Sequence, residues 1–199
     1  MDHKSSGCVR SNQPLERRTA LKVALGLVLG LDLAPSADAQ DVDLRTIRPQ
    51  PGDQLVFADG EHRGDTISAA DLQLGGPQVN AFPVDPRSRL IRDGSRLNKI
   101  LLIRSDPESL SQDTRRRAAD GVAAYSAICT HQGCEVGAWD AQTKTFWCPC
   151  HDSKFDPREN GRVVGGPAPK RLAALPLKLV DGMLSVAAGF TGPVGLQTR

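Results

Sequence analysis

Aromatic side chains, excess charge and long apolar runs are all scarce in this chain. Phe, Trp and Tyr together make up 4% of its 199 residues, with two Trp and a single Tyr. A core must therefore be built from aliphatic residues and alanine. The formal net charge is only +2, and Arg115-Arg116-Arg117 is the one basic triplet. A polyanion-binding surface needs far more, so nucleic acid is excluded as a partner, and the triplet reads as a solvated helix face. The longest apolar stretch, Val23–Leu33, is broken by Asp32. It falls well short of the roughly 20 residues that a membrane-spanning helix requires. No phosphate-cradling glycine loop, no nucleophile–base pair, no internal repeat and no low-complexity tract is present. What is abundant is turn chemistry: 19 Gly and 14 Pro predict a loop-rich domain with more β than α structure.

Residues 1–39 read as a targeting segment and are set aside from the fold. Glu16-Arg17-Arg18-Thr19-Ala20-Leu21-Lys22 resembles a twin-arginine export signal, followed by the apolar run and then Ala37-Asp38-Ala39, a small-x-small cleavage site. The expected product is an exported, periplasmic protein, soluble or associated with the outer face of the cytoplasmic membrane. Residues 40–52, polar and carrying Pro49 and Pro51, read as a linker, and 53–199 as the folded domain.

Within that domain, short β-rich runs are divided by turn residues. Gln54–Phe57, Val79–Val84, Lys99–Arg104 and Val122–Ile128 read as strands, with Pro83 placing its strand at a sheet edge. Val136–Trp139 and Lys144–Trp147 predict one hairpin. Leu172–Val180 and Met183–Ala187, around Asp181-Gly182, predict another. One helix is expected over about Pro107–Ala119, with Asp106 as cap and Gly121 at its end. The fold class is all-β, antiparallel, with one connecting helix.

Four of the five cysteines and two of the four histidines lie in two stretches, Cys129-Thr130-His131-Gln132-Gly133-Cys134 and Cys148-Pro149-Cys150-His151-Asp152-Ser153. Each offers one Cys and one His at close spacing plus a spare Cys. The hairpin between them returns the chain, so the two loops meet at its open end. Two thiolates and two imidazoles make a metal site, with zinc as one occupant, and the spare pair points to a disulfide beside it.

These stretches resemble the Rieske [2Fe–2S] family in the form found in cytochrome bc-type complexes, which carries Cys-Thr-His-x-Gly-Cys and Cys-Pro-Cys-His-x-Ser. The likeness extends through Gly165-Gly166-Pro167-Ala168-Pro169, similar to the proline-rich loop that covers the cluster. It implies a Rieske fold, with a β base domain and a smaller cluster-binding subdomain at about residues 127–169. It also implies one [2Fe–2S] cluster. Cys129 and Cys148 would bind one iron, His131 and His151 the other, and Cys134 and Cys150 would form a disulfide. Imidazoles donate less charge than thiolates, so this ligation raises the reduction potential to about −150 to +300 mV. Two ferric ions against two sulfides and two thiolates carry no net charge, and one electron makes the centre −1. That is a far smaller burial cost than a four-thiolate cluster imposes.

The neighbouring residues tune this expectation. Ser153 matches the family serine whose hydroxyl bonds a bridging sulfide. Phe155 stands where many high-potential members have a tyrosine that bonds a ligand sulfur, which predicts a lower potential. Asp152 replaces the usual glycine beside His151; a carboxylate there either disfavours the reduced cluster or, as an exposed surface residue, has little effect. Pro167 belongs to the covering loop. His62 reads as a surface residue, and Trp139 and Trp147 as core packing. The resemblance implies one-electron transfer in an iron–sulfur subunit of the quinol:cytochrome c reductase type. The partners would then be a cytochrome b or cytochrome c, with quinol meeting His151. A small Rieske subunit of a periplasmic molybdenum oxidoreductase similar to arsenite oxidase, paired with a molybdopterin subunit, is a second setting. A free periplasmic carrier is a third. A zinc-stabilised interaction module is the reading outside electron transfer.

Overall fold

The computed structural model describes residues 43–196; the export segment read from residues 1–39 lies outside the described residues. Residues 43–52, read as a linker, are fastened to the domain. The Asn98 amide donates to Ile47 O at 2.8 Å, the Arg48 guanidinium to Leu97 O at 2.7 Å, and Gly52 N–H to Val186 O at 2.9 Å.

Ten strands follow: β1 Gln54–Phe57, β2 Val79–Val84, β3 Ile100–Arg104, β4 Val122–Ser126, β5 Ala138–Asp140, β6 Thr145–Cys148, β7 Ser153–Asp156, β8 Arg162–Gly165, β9 Leu177–Val180 and β10 Met183–Val186. All pairings between them are antiparallel. Six form a base sheet in the order β4-β3-β2-β1-β10-β9, and four form a second sheet, β5-β6-β7-β8. The free edge of β4 takes backbone bonds from residues 173–175. That segment leads into β9 at the opposite edge, so the base sheet curls on itself. At the β9–β10 turn, Asp181 (φ 51°) and Gly182 (φ 78°) are both left-handed, the twist-matched geometry that this dipeptide predicts.

β3 explains how one short chain carries two cores. Its residues alternate between faces, yet four of its five are buried. Ile100 and Leu102 point into the base-sheet core with Leu55, Ile67 and Leu184. Leu101 and Ile103 point the other way, into a core shared with Phe146 and Phe155 of the four-stranded sheet. Tyr125 joins the two by donating from its hydroxyl to Pro157 O at 2.6 Å, with its ring edge-on to Phe146 at 5.8 Å.

Three expectations are corrected. Pro83 is not on an edge strand, because β2 lies between β1 and β3. It is tolerated because the β2–β3 ladder ends at Ala81. Its carbonyl accepts from Arg92 N–H at 2.8 Å, so its missing donor also faces that loop and not β1. The helix expected over Pro107–Ala119 is instead a 3-10 turn, Pro107–Ser109, and a single α-turn, α1, Gln112–Arg115. Asp106 does cap the first turn. Ser111 N–H then leaves the helical path to bond Arg158 O at 3.0 Å, and the Thr114 hydroxyl bonds the same carbonyl at 2.9 Å. Tertiary bonds to the turn after β7 thus override local helix propensity. Finally, β7 and β8 lie in a stretch with no strand expectation.

Candidate metal centre

The two cysteine-bearing loops meet at the ends of β4 and the β6–β7 hairpin. After β4 the chain enters a tight loop in which Cys129 N–H donates to Cys134 O at 2.8 Å and Gly133 N–H to Cys129 O at 3.0 Å. Gly133 has φ 74°, and its carbonyl is held by the Arg96 guanidinium at 2.5 Å. The β5–β6 hairpin returns the chain so that Cys148 ends β6 and Ser153 begins β7, and these two residues face each other in register. The residues between them, 149–152, form the second loop.

Cys134 and Cys150 are joined by a disulfide across 16 residues, which ties the loops together. Cys129 and Cys148 are free and buried, each 1% exposed. Burial pushes the Cys148 thiol above its ordinary range and the neighbouring Cys129 adds to this, while the backbone N–H groups of Cys150 and His151 act in the opposite direction. The rings of His131 and His151 stand edge to face with centroids 4.7 Å apart. His131 is half-buried and His151 exposed. Of the spare sulfurs, those of Cys134 and Cys150 lie within 4.8 Å of Cys148 Sγ. Being disulfide-bonded, they offer no thiolate to a metal.

Two buried polar atoms at this site lack partners, His131 Nδ1 and Ser153 Oγ. Buried polar atoms are seldom left unpaired, so each marks a position where the protein alone does not complete the bonding. Phe155 is fully buried in the same core as Cys129 and Cys148. The loop Gly165–Pro169 lies directly on the second cysteine loop. A Cβ on Gly166 (φ 77°) would sit 2.5 Å from Ser153 Cα, so only glycine allows this approach. Pro167 of that loop is exposed, whereas Ala168 is buried.

One contributor was not singled out from the sequence. Thr130, buried, donates its hydroxyl to Lys170 O at 2.5 Å and so fastens the first cysteine loop to the end of the covering loop. Trp139 packs against Phe146 at 5.8 Å, as a core residue does. Trp147 does not: it alternates to the outer face of β6 opposite Lys154, and its indole N–H donates to Asp152 Oδ1 at 3.0 Å. No carboxylate oxygen lies within 4.0 Å of a His151 nitrogen among the described residues. His62, 74% exposed, pairs with Asp65, the surface role expected of it.

Residues 98–176 match the family described as the Rieske [2Fe-2S] domain. The chain is 34% identical over 149 residues to the "Putative respiratory nitrate reductase subunit Rieske" of Haloferax mediterranei, covering 74% of this chain and 63% of that one. It is 38% identical over 98 residues to the "Cytochrome bc1 complex Rieske iron-sulfur subunit" of Streptomyces lividans, covering 48% of this chain and 58% of that one. The chain thus spans less than two thirds of either relative. Among solved structures, the cyanobacterial plasma membrane Rieske protein PetC3 of Synechocystis PCC 6803 aligns with 61% of this chain and 95% of its own, at 22% identity and a TM-score of 0.40.

Proposed function

Because the chain carries a Rieske [2Fe–2S] domain over residues 98–176 and is a member of that family, we propose that it is a one-electron carrier, the iron–sulfur subunit of a respiratory oxidoreductase of the quinol:cytochrome c reductase type. Cys129 and Cys148 would hold one iron of its [2Fe–2S] cluster, and His131 and His151 the other. The observation that carries this reading is the pairing of two loops by the Cys134–Cys150 disulfide, with two free buried thiols and two adjoining edge-to-face imidazoles on the loops it joins. The residues fit the cluster. The orphaned His131 Nδ1 is a free metal ligand, and the orphaned Ser153 Oγ has no acceptor in the protein and suits a sulfide.

When bound, the cluster supplies a reversible one-electron couple whose two-imidazole ligation sets a high potential for a [2Fe–2S] centre. The chain supplies the rest. Burial of Cys129 and Cys148 keeps water from the thiolate side and raises the pKa of the Cys148 thiol, which the N–H groups of Cys150 and His151 partly offset. With the cluster bound, the exposed His151 would be the side a partner or quinol approaches, and its outer ring nitrogen would be placed to exchange a proton there.

An exported location fits the bonded Cys134–Cys150 pair, since disulfides persist in oxidising compartments, and it accords with the twin-arginine reading of residues 1–39. Among the described residues no helix is long and apolar enough to cross a membrane. A second setting is the small Rieske subunit of a periplasmic molybdenum oxidoreductase. It is favoured by the Haloferax relative, named for a nitrate reductase, which matches 74% of this chain against 48% for the Streptomyces bc1 subunit.

The test is the visible spectrum and metal content of the purified protein. Reddish-brown protein with two irons and two sulfides per chain is expected. Colourless protein with one zinc refutes the reading in favour of a zinc-stabilised module. N-terminal sequencing of the periplasmic form checks cleavage after Ala39.

A further inference from the structure

Trp147 and Asp152 bracket the second cysteine loop. They are the residues immediately before Cys148 and immediately after His151, and the indole N–H of one donates to the carboxylate of the other at 3.0 Å. Asp152 sits at φ 58°, in the left-handed region that few residues other than glycine, asparagine and aspartate adopt. The bond from Trp147 is the side-chain hydrogen bond Asp152 makes among the described residues, and it fixes the direction of the carboxylate. Three other contacts hold the loop: the Cys134–Cys150 disulfide, the Cys148–Ser153 register at the hairpin ends, and Gly166 of the covering loop against Ser153. None of these spans the stem of the loop by side chains. The pair floors an open groove of about 630 Å³, whose remaining lining residues are Trp139, Asp140, Ala141 and Lys154. Lys154 is already paired with Asp140 at 2.8 Å, and so does not answer the Asp152 charge.

We propose that Trp147 and Asp152 form a clasp that positions the His151 loop, and that the indole N–H restrains and partly offsets the Asp152 charge next to the histidine side of the site. Trp147 is a positioning residue, acting through Asp152. The charge consequence rests on the cluster reading given above; the loop-holding consequence does not. An indole N–H to a carboxylate is a charge-assisted bond. Without it the carboxylate is free to swing and its negative charge is less compensated, which opposes addition of an electron nearby.

The experiment compares the full chain with W147F, D152N and the double variant, with W139F as control. Three shifts in midpoint potential are expected by voltammetry. D152N raises it, because a negative charge is removed while an amide oxygen still accepts the indole proton. W147F lowers it. In the D152N background W147F has no further effect. An equal W147F shift in both backgrounds, or no shift with Asp152 present, overturns the proposal. Hydrogen exchange of the Cys150 and His151 amides gives an independent reading in W147F and D152A, the latter leaving the tryptophan in place. Exchange is expected to be about five-fold faster, the change one net hydrogen bond sustains. Unchanged rates overturn the clasp. W139F should change neither reading. The exchange measurement needs no cluster, so a colourless wild type refutes the cluster reading while the clasp still stands or falls on its own rates.

Discussion

Removing one oxygen atom from Tyr125 tests how the two sheets are joined. Its ring is 1% exposed, and its hydroxyl donates to Pro157 O at 2.6 Å from β4 across to the turn after β7. In Tyr125→Phe the ring packing survives, but the bond is lost and a buried carbonyl is left without its donor. Such a loss costs about 1–3 kcal/mol. For a domain of this size, 2 kcal/mol corresponds to a fall in melting temperature of about 4–8 °C. The hydroxyl also reports on pH. Burial raises its pKa well above the ordinary 10. The folded state therefore holds this proton more tightly than the unfolded chain does. The stabilisation is complete below pH ~10 and is lost as pH rises from there through the raised folded value. Tyr125 is the only tyrosine in the chain, so ultraviolet titration of phenolate reads this one group. Phenolate is expected only together with loss of the folded far-ultraviolet dichroism, and Tyr125→Phe should hold its remaining stability more evenly above pH 10. Reversible titration near pH 10 with the fold intact, or an unchanged melting temperature in Tyr125→Phe, refutes the argument.

Three further outcomes follow from the site. Replacing Cys134 and Cys150 together by Ser opens a loop of 16 residues, worth about 3 kcal/mol by chain entropy. Denaturant unfolding should show that loss, with cluster absorbance fading at a lower denaturant concentration than in wild type. Gly166→Ala should loosen the covering loop, since its Cβ would lie 2.5 Å from Ser153 Cα at φ 77°. A cost of about 1–3 kcal/mol, typical of strained substitutions at special backbone angles, is expected in thermal melts, with faster loss of iron to a chelator. Phe155→Tyr places a hydroxyl in the core that holds Cys129 and Cys148. Voltammetry should show the midpoint rising by about 40 mV, the one-electron equivalent of a net hydrogen bond of about 1 kcal/mol, and no change or a drop refutes that role.

Much of the fold is legible because its signals are local. β2 coincides with the expected Val79–Val84, and the Asp181-Gly182 turn adopts the left-handed pair its residues favour. β7 and β8 escaped notice because Arg162-Val163-Val164-Gly165 has no alternation of apolar and polar residues, and none of the four is fully buried. Ser153–Asp156 is strand only because β6 and β8 pair with it on either side. The helix expectation failed at Ser111 and Thr114, whose bonds to Arg158 and Asn160 arrive from more than forty positions away.

At the site the division is similar. The spacing of Cys129, His131, Cys148 and His151 and the two spare cysteines is a property of the chain, because a hairpin of that length must bring both loops to one end. From the sequence alone follow the candidate donors, the family and the all-β class. Which side chains close around those donors was decided by the tertiary structure. Gly166 comes down on Ser153, Thr130 reaches Lys170, and Trp147 turns outward to Asp152 instead of into the core. Strand alternation and the curl of the two sheets fix those directions, and neither is a property of any short stretch of residues.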